Sequence, residues 1–392
     1  TIISYIVSCI PIASMYFVPT MVLLGQANII QVIIATILLI LSGILLVRYG
    51  ATFFKNGVLD YSNKKSKKNK EDEDVIEVQK QKIAKTEYSK IGYVLGFSVI
   101  LFILLQLIFT YILQILNVPL YNILNKSISL ETIETITRMI SFVISLIVPA
   151  LFVMSYSEKE KIEKCNKKSY FKYVLIALPL VLIVQIVVGI ILERIGLNYD
   201  VLDKVNMFND KTIIGKVLFF IEVAVLPAIF EEFYIRKAVL NYTKKYGICF
   251  AVIASSLLFS VVHFNLSQML FAFIMGVILS IITLKTNSIV PSGMIHLLNN
   301  GYAALVMIFE SNNIVLGIIN IIYFSLILIG IVLIIIELVK NKGKFIKIKN
   351  TVKKESNIMK KYRYIFCDYT FIISIITCAV LLVATQKLLM IL

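Results

Sequence analysis

YVLIALPLVLIVQIVVGIIL, residues 173–192, is a run of 20 residues without a charged side chain, and it lies between Lys172 and Glu193. An α-helix of about 20 apolar residues crosses the hydrocarbon core of a membrane, which is roughly 30 Å thick. The hydrophobic share of the whole chain is 59%, above the about 45–50% that is usual in water-soluble proteins. The sequence therefore predicts an all-α, polytopic transmembrane helix bundle and excludes a water-soluble globule.

Similar apolar runs recur along the chain and predict about 11 membrane spans. They lie at 3–24, 28–48, 93–116, 137–156, 173–192, 214–235, 248–264, 266–284, 290–309, 314–339 and 365–388. Basic and non-basic loops alternate between these spans, and most Lys and Arg residues lie at 55–90, 159–172, 236–245 and 340–363. Because cytoplasmic loops carry an excess of Lys and Arg, we expect the basic loops to face the cytoplasm. Abundant Ile, Lys and Asn indicate an AT-rich genome, which favours a bacterial source. We therefore expect the protein to lie in a bacterial cytoplasmic membrane.

The positive charge of the chain indicates membrane lipid as a partner and no nucleic acid. The formal net charge is +16, but the basic residues lie in loops between apolar runs, where they determine topology and attract anionic headgroups. The five cysteines are scattered and contain no CxxC pair. We therefore expect neither a disulfide framework nor a cysteine-rich zinc site.

Three segments place acid, imidazole or amide side chains within apolar helices, where such groups are costly and commonly functional. The segments are Glu231-Glu232-Phe233-Tyr234-Ile235-Arg236, Phe259-Ser260-Val261-Val262-His263 and His296-Leu297-Leu298-Asn299-Asn300. Both histidines of the chain lie in them. The sequence therefore predicts one site shared by three helices.

The first segment offers two glutamates with different partners. Glu232 and Arg236 are one helical turn apart and can form an ion pair, whereas Glu231 points about 100° away and can face another helix. Pro227 cannot donate to the helical hydrogen-bond ladder, so we expect a kink that admits water near the carboxylate. The alternative is that these charged side chains simply reach out to the interface from a helix end.

The other two segments each pair residues one turn apart. His263 follows Phe259 by four residues, so the ring can wall an apolar pocket while the imidazole holds water. The alternative for His263 is a polar cap at a helix end. His296 and Asn300 can both donate hydrogen bonds to an oxyanion. The alternative role for these two side chains is hydrogen bonding between helices of the bundle.

The chemistry predicted for this site is hydrolysis of an amide. A carboxylate would act as general base on water, a histidine would fix that water, and donors would receive the oxyanion. A Ser–His triad is disfavoured because the sequence has no GxSxG motif. A divalent metal such as zinc stays open, with Glu231, His263 and His296 as its ligands, although the sequence has no HExxH motif.

The three segments, in this order, resemble the EExxxR, FxxxH and HxxxN motifs of the CPBP family of intramembrane endopeptidases. This family, also called Abi, includes the type II CAAX prenyl proteases. The resemblance covers about Tyr170 to Val339 and includes Gly276, Pro291 and Gly293 between the motifs. It implies that the region is an intramembrane protease.

By position, the resemblance implies that Glu231 activates water, that His263 helps to hold it, and that His296 with Asn300 stabilises the oxyanion. The predicted catalytic residues are Glu231, Glu232, His263, His296 and Asn300, with Arg236 and Phe259 in support. Simple alternation of spans creates one difficulty, because it separates His263 from Glu231 by about 20 Å in depth. A short or tilted seventh helix, or a deeper position of Glu231, would close that gap.

The N-terminal part of the chain carries no catalytic chemistry. Residues 1–62 resemble the C-terminal end of a type 2 ABC-exporter permease, which implies an ABC ATPase partner and a permease remainder upstream of Thr1. Residues 63–90 are expected to be a charged cytoplasmic linker, 91–340 the protease-like bundle with about eight spans, and 341–392 a basic loop with the final helix.

The function predicted from these observations is an intramembrane endopeptidase that cuts a membrane-associated peptide or protein. The alternative is a non-catalytic transporter, such as an ABC permease subunit, or a bacteriocin-immunity-type protein whose polar residues line a pathway.

Overall fold

A computed structural model describes residues 37, 72–123, 128–157, 168–194, 212–340, 365 and 368–391. Within these ranges the regular structure is helical and contains no β-strand. The predicted permease-like segment 1–62, with the exception of residue 37, lies outside the described residues. The chain divides into two compact units, residues 1–83 with 107–115 and residues 84–106 with 116–392, and the second unit contains every predicted site residue.

The described helices follow one another along the chain with short connections. They are α1 (Asp72–Ile123), α2 (Leu130–Ser155), α3 (Lys168–Arg194), α4 (Ile213–Tyr246), α5 (Ile248–Val261), α6 (Leu266–Thr286), α7 (Val290–Ile308), α8 (Asn313–Lys340) and α9 (Tyr369–Ile391). Six of the described helices are long and apolar enough to cross a membrane. An all-α polytopic helix bundle is therefore confirmed, and the chain is an integral membrane protein.

Several helices differ in extent from the predicted spans. Helix α2 begins at Leu130 and not at 137, and α4 continues to Tyr246 through the predicted basic loop at 236–245. Helix α1 begins at Asp72, inside the stretch expected to be a linker. Acidic residues in its first turn favour helix formation there, because they complement the positive end of the helix dipole. Helix α5 ends at Val261 and is only 14 residues long. The sequence predicted a span to residue 264, because apolar side chains continue through the turn in which Phe264 has a φ of +48°.

Helix α4 is unusual because much of it is wound as a π-helix, with hydrogen bonds from residue i to i+5. The π-helical segments are Ile221–Val225, Pro227–Glu231 and Phe233–Leu240. The loosening expected at Pro227 thus takes the form of wide turns. Such turns are frequent at functional sites.

The core that holds the site helices in place is apolar. Helices α3, α6 and α7 pack around a cluster that includes Val181, Leu279 and Ile295. Helix α4 packs on α7 through Phe219 and Ala304, and its far end packs on α5 through Leu240, Ala251 and Val252. The three helices that carry the motifs are therefore fixed against each other by buried hydrocarbon.

Candidate active site

Both glutamates of the first segment lie at depth on α4. The Glu232 side chain is 1% exposed and the Glu231 side chain 12% exposed. One oxygen of each carboxylate, Oε2, is buried and has no hydrogen-bond partner among the described residues. Buried carboxylate oxygens usually have a hydrogen-bond partner, so these two atoms are unusual within the described residues.

The predicted pair of Glu232 and Arg236 is present and fully buried. Arg236 Nη1 lies 3.1 Å from Glu232 Oε1, and Arg236 Nη2 donates to the Gly276 carbonyl at 3.4 Å. The guanidinium also lies 4.4 Å from the centre of the Phe259 ring. The alternative, in which these charges reach out to the interface, does not describe this pair, since both side chains are enclosed by helices.

The His296 imidazole lies between the two carboxylates. Its Nδ1 lies 3.2 Å from Glu232 Oε1, and its Nε2 lies 3.8 Å from Glu231 Oε2. Helices α4 and α7 approach closely enough for these contacts because residue 293 is glycine: a Cβ there would lie 3.1 Å from the Ala228 carbonyl oxygen. The tight crossing therefore depends on Gly293.

Asn300 contacts the His296 imidazole and forms a hydrogen bond with helix α4. Its Nδ2 lies 3.3 Å from His296 Nε2 and donates to the Val223 carbonyl at 3.1 Å. This hydrogen bond joins α7 to the π-helical part of α4.

His263 joins the cluster through Phe259 and not through a carboxylate. It lies in the turn after α5, and its Nδ1 lies 2.7 Å from the Phe259 carbonyl oxygen. The Phe259 ring contacts the rings of His263 and His296 nearly edge-on, with centroid distances of 5.0 and 5.7 Å. The contact with the Phe259 carbonyl is the polar cap that the sequence offered as the alternative for His263, and the holding of water by this imidazole stays a prediction.

The predicted difficulty in depth concerned the position of His263 relative to Glu231, and the described contacts of His263 are with Phe259. Because this helix has only 14 residues, it ends within the bundle, and Phe259 reaches both histidines. The structure thus brings together Glu231, Glu232, Arg236, Phe259, His296 and Asn300, with His263 at the edge of the group. Their catalytic roles remain predictions.

A metal site does not follow from this arrangement. In the described part of the chain, no three His, Cys, Asp or Glu side chains form a group that could hold a metal ion. The residues proposed as ligands, Glu231, His263 and His296, therefore do not fit a metal as they are placed. Metal dependence stays a prediction.

The sequence did not reveal every contact that builds the site. Glu222 of α4 forms an ion pair with Arg138 of α2 at 2.9 Å, and Tyr234 donates to Ser98 of α1 at 2.9 Å. These contacts fix α4 on both sides of the glutamates. A lone charge such as Glu222 inside an apolar run was the signal that could have drawn attention to the first of them.

The fold and the cluster together define a membrane-embedded helical protein with acid, imidazole and amide groups at depth. Residues 213–302 match the family model described as Rce1-like, type II CAAX prenyl endopeptidase. The matched segment covers less than half of the chain and contains all three motifs. Searches of curated proteins and of solved structures gave no match.

The family match supports the predicted CPBP resemblance and, at the level of the family, a CAAX-type intramembrane protease. It does not extend to residues 1–62, so the permease-like segment and its ATPase partner remain predictions.

Proposed function

We propose that this chain is an intramembrane endopeptidase in which Glu231 activates a water molecule that attacks a peptide bond of a membrane-associated substrate. The observation that supports the proposal is the contact group in which Glu231 Oε2 and Asn300 Nδ2 lie 3.8 and 3.3 Å from His296 Nε2. A carboxylate next to an imidazole is suited to polarise water.

The first step is general-base attack. Glu231 takes a proton from water while the water oxygen forms a bond to the carbonyl carbon, which becomes a tetrahedral oxyanion. The proton then passes from Glu231 to the leaving nitrogen as the C–N bond breaks. His263, whose Nδ1 is occupied by the Phe259 carbonyl, presents Nε2 as an acceptor that helps to position the water.

The hydrogen bonds around His296 determine how it can act. With its proton on Nδ1, the imidazole donates to Glu232, and Nε2 accepts from Asn300. When Glu231 passes to Nε2, 3.8 Å away, the proton that it took from water, Nε2 becomes an N–H donor and releases the Asn300 amide hydrogen. Both groups can then donate to the oxyanion, and the same proton returns through Glu231 to the leaving nitrogen.

Glu232 and Arg236 support this chemistry from the other side of the ring. The Glu232 carboxylate fixes the Nδ1 tautomer of His296, and Arg236 balances the charge of Glu232 in a place without water. Because Glu232 already contacts two cationic or donor groups, Glu231 is the better candidate for the base.

The test compares Glu231→Gln with wild type in the cells that make the protein. Membrane peptides that accumulate only in the variant identify the substrate, and the purified full chain is then assayed on that substrate in bilayers. We expect the cleavage rate to fall at least about a hundredfold, as for loss of a general base.

Glu222→Gln is the matched control, because Glu222 is a carboxylate on the same helix that pairs with Arg138 outside the cluster. Its rate should stay close to wild type. Unchanged peptides and unchanged cellular function in Glu231→Gln would favour the transporter or immunity-type alternative.

We also propose that the chain lies in a bacterial cytoplasmic membrane with its basic loops in the cytoplasm. The alternation of basic and non-basic loops supports this orientation. A cysteine introduced as Lys245→Cys should react with an impermeant thiol reagent in inside-out vesicles only. Reaction in right-side-out vesicles would reverse the orientation.

A further inference from the structure

An apolar cavity of about 800 Å³ lies between α1, α5 and α9, on the side of α5 opposite to the catalytic cluster. Its walls include Leu95 and Val99 of α1, Ile253 and Leu257 of α5, and Phe371 and Ile375 of α9. The cavity opens sideways, because Ile253 is 44% and Ile375 51% exposed. The medium at that opening is the hydrocarbon of the bilayer.

The cavity wall offers few hydrogen-bonding groups to water. Among the described residues that line it, the polar side chains are Ser374 and Cys378. The Ser374 hydroxyl donates to the Phe371 carbonyl of its own helix. Because a buried water needs two to four polar partners, this space suits hydrocarbon and not water.

Residues 88 and 89 inside α1 lie beside the starts of α5 and α9. Ser89 of α1 donates to Asp368, the residue before α9, at 2.8 Å. The Tyr88 ring lies 6.0 Å from the ring of Tyr246, which ends α4 just before α5. One end of the cavity is thus bordered by tyrosines, which are common where a membrane meets water.

Exposed lysines lie at this same end. Lys90 Nζ is 5.3 Å from the centre of the Tyr156 ring, and Lys245 Nζ is 5.1 Å from that of Tyr246. Leu95, in the cavity wall, follows Lys90 by five residues, which corresponds to about 7.5 Å along the helix. The distance between charge and cavity is that between the headgroup and the upper acyl chain of a lipid.

We propose that this cavity binds an anionic phospholipid of the surrounding bilayer, with an acyl chain between α1, α5 and α9 and its phosphate at Lys90 and Lys245. Two acidic residues also lie at this end, but Asp368 is buried and accepts hydrogen bonds from Ser89 and from Thr370, so Glu87 is the exposed one.

The bound chain would support the helix end that carries the site. Leu258 lines the cavity, while its neighbour Phe259 contacts both histidines. Hydrocarbon in the cavity therefore packs against the back of the turn that positions His263. This inference concerns lipid binding and stands whether or not the peptidase proposal is correct.

The test uses the full chain in nanodiscs that contain phosphatidylglycerol with a photoreactive diazirine in one acyl chain. A second set contains the matching phosphatidylcholine probe, and labelled peptides are mapped by mass spectrometry. We expect labelling to concentrate on residues 250–261 and 371–379 and to favour phosphatidylglycerol. Lys90→Gln and Lys245→Gln should each lower that preference by about fivefold, the effect of one basic residue near an anionic surface.

Matched variants separate the cavity from ordinary lipid contact. Ala254→Phe fills the cavity and should abolish labelling there, whereas Ala303→Phe, on an exposed face of α7, should leave it unchanged. Lys216→Gln, at the other end of α4, should leave the headgroup preference unchanged.

Two results would overturn the proposal. One is labelling spread evenly over the exposed faces of α3 and α8, with no headgroup preference. The other is displacement of the probe by an apolar transmembrane peptide irrespective of headgroup charge, which would assign the cavity to a peptide segment. If Ala254→Phe does not fold, the lysine variants alone decide, because both lysines are exposed.

Discussion

The buried pair of Glu232 and Arg236 makes a strong prediction about stability. Replacing Arg236 by Met keeps most of the side-chain volume but leaves a buried carboxylate without its cation. Both side chains are at most 1% exposed, and loss of one member of such a pair costs about 3–5 kcal/mol of unfolding free energy. The variant also loses the contact of the guanidinium with the Phe259 ring, 4.4 Å away.

The double variant Glu232→Gln with Arg236→Met should recover much of that loss. Neutral Gln can still accept a hydrogen bond from His296 Nδ1, and no uncompensated charge remains. A double-mutant cycle should therefore give a coupling energy of at least about 2 kcal/mol, within the range for residues in contact.

The assay is denaturant-induced unfolding of the full chain in bicelles of one lipid composition. Lys216→Met serves as a control, because Lys216 Nζ lies 5.5 Å from the Phe309 ring centre in a more exposed cation–π contact. It should cost less than about 1 kcal/mol. If the two single losses simply add in the double variant, the pair is not coupled and the reasoning is wrong.

Three further predictions concern packing, the amide and the metal. A Cβ in Gly330→Ala would lie 2.1 Å from the Leu175 carbonyl oxygen, so α3 and α8 must separate and unfolding free energy should fall by at least about 1–3 kcal/mol. In the same assay Gly317→Ala, where a Cβ meets no described atom within 4 Å, should stabilise α8 by about 0.5–1 kcal/mol. Asn300→Ala should slow cleavage of the identified substrate by about 10²–10³-fold while the protein stays folded; a wild-type rate would remove Asn300 from the oxyanion site. Chelator-treated, metal-free protein should keep its cleavage rate, measured on the same substrate, since the described residues form no metal-ligand group; loss of activity restored by zinc would contradict this.

The contacts that the sequence predicted best are those within one helix turn. Glu232 with Arg236, and His296 with Asn300, are four residues apart and in contact, because helix geometry fixes such pairs locally. The membrane helices themselves were also predictable, since about 20 apolar residues have few other stable arrangements.

The partners across helices were not predictable in the same way. The contact of His296 with Glu232 joins residues that are 64 positions apart in the sequence. The spacing within each motif relates residues of one helix only, so it could not predict this contact. In a regular α-helix, which the sequence predicts for this stretch, Glu231 and Glu232 would point about 100° apart. The π-helical turns hold more residues each, so the two carboxylates diverge less and both face His296.

The end of α5 shows the limit of hydropathy as a guide. Residues after Val261 remain apolar, so the sequence predicted a longer span, but the turn depends on a positive φ at Phe264 and on a cap from His263. Such local conformations carry little hydropathy signal. This is why the depth of His263 could not be settled from span counting.

The wide winding of α4 also matters for how this protein fits its surroundings. Its π-helical segments lie between Ile221 and Leu240. A π-helical turn contains more residues than an α-helical turn and advances less per residue, so the apolar part of α4 is shorter along its axis than the same residues would be in a regular α-helix. A count of apolar residues at about 1.5 Å each therefore overstates the thickness of hydrocarbon that this helix can match.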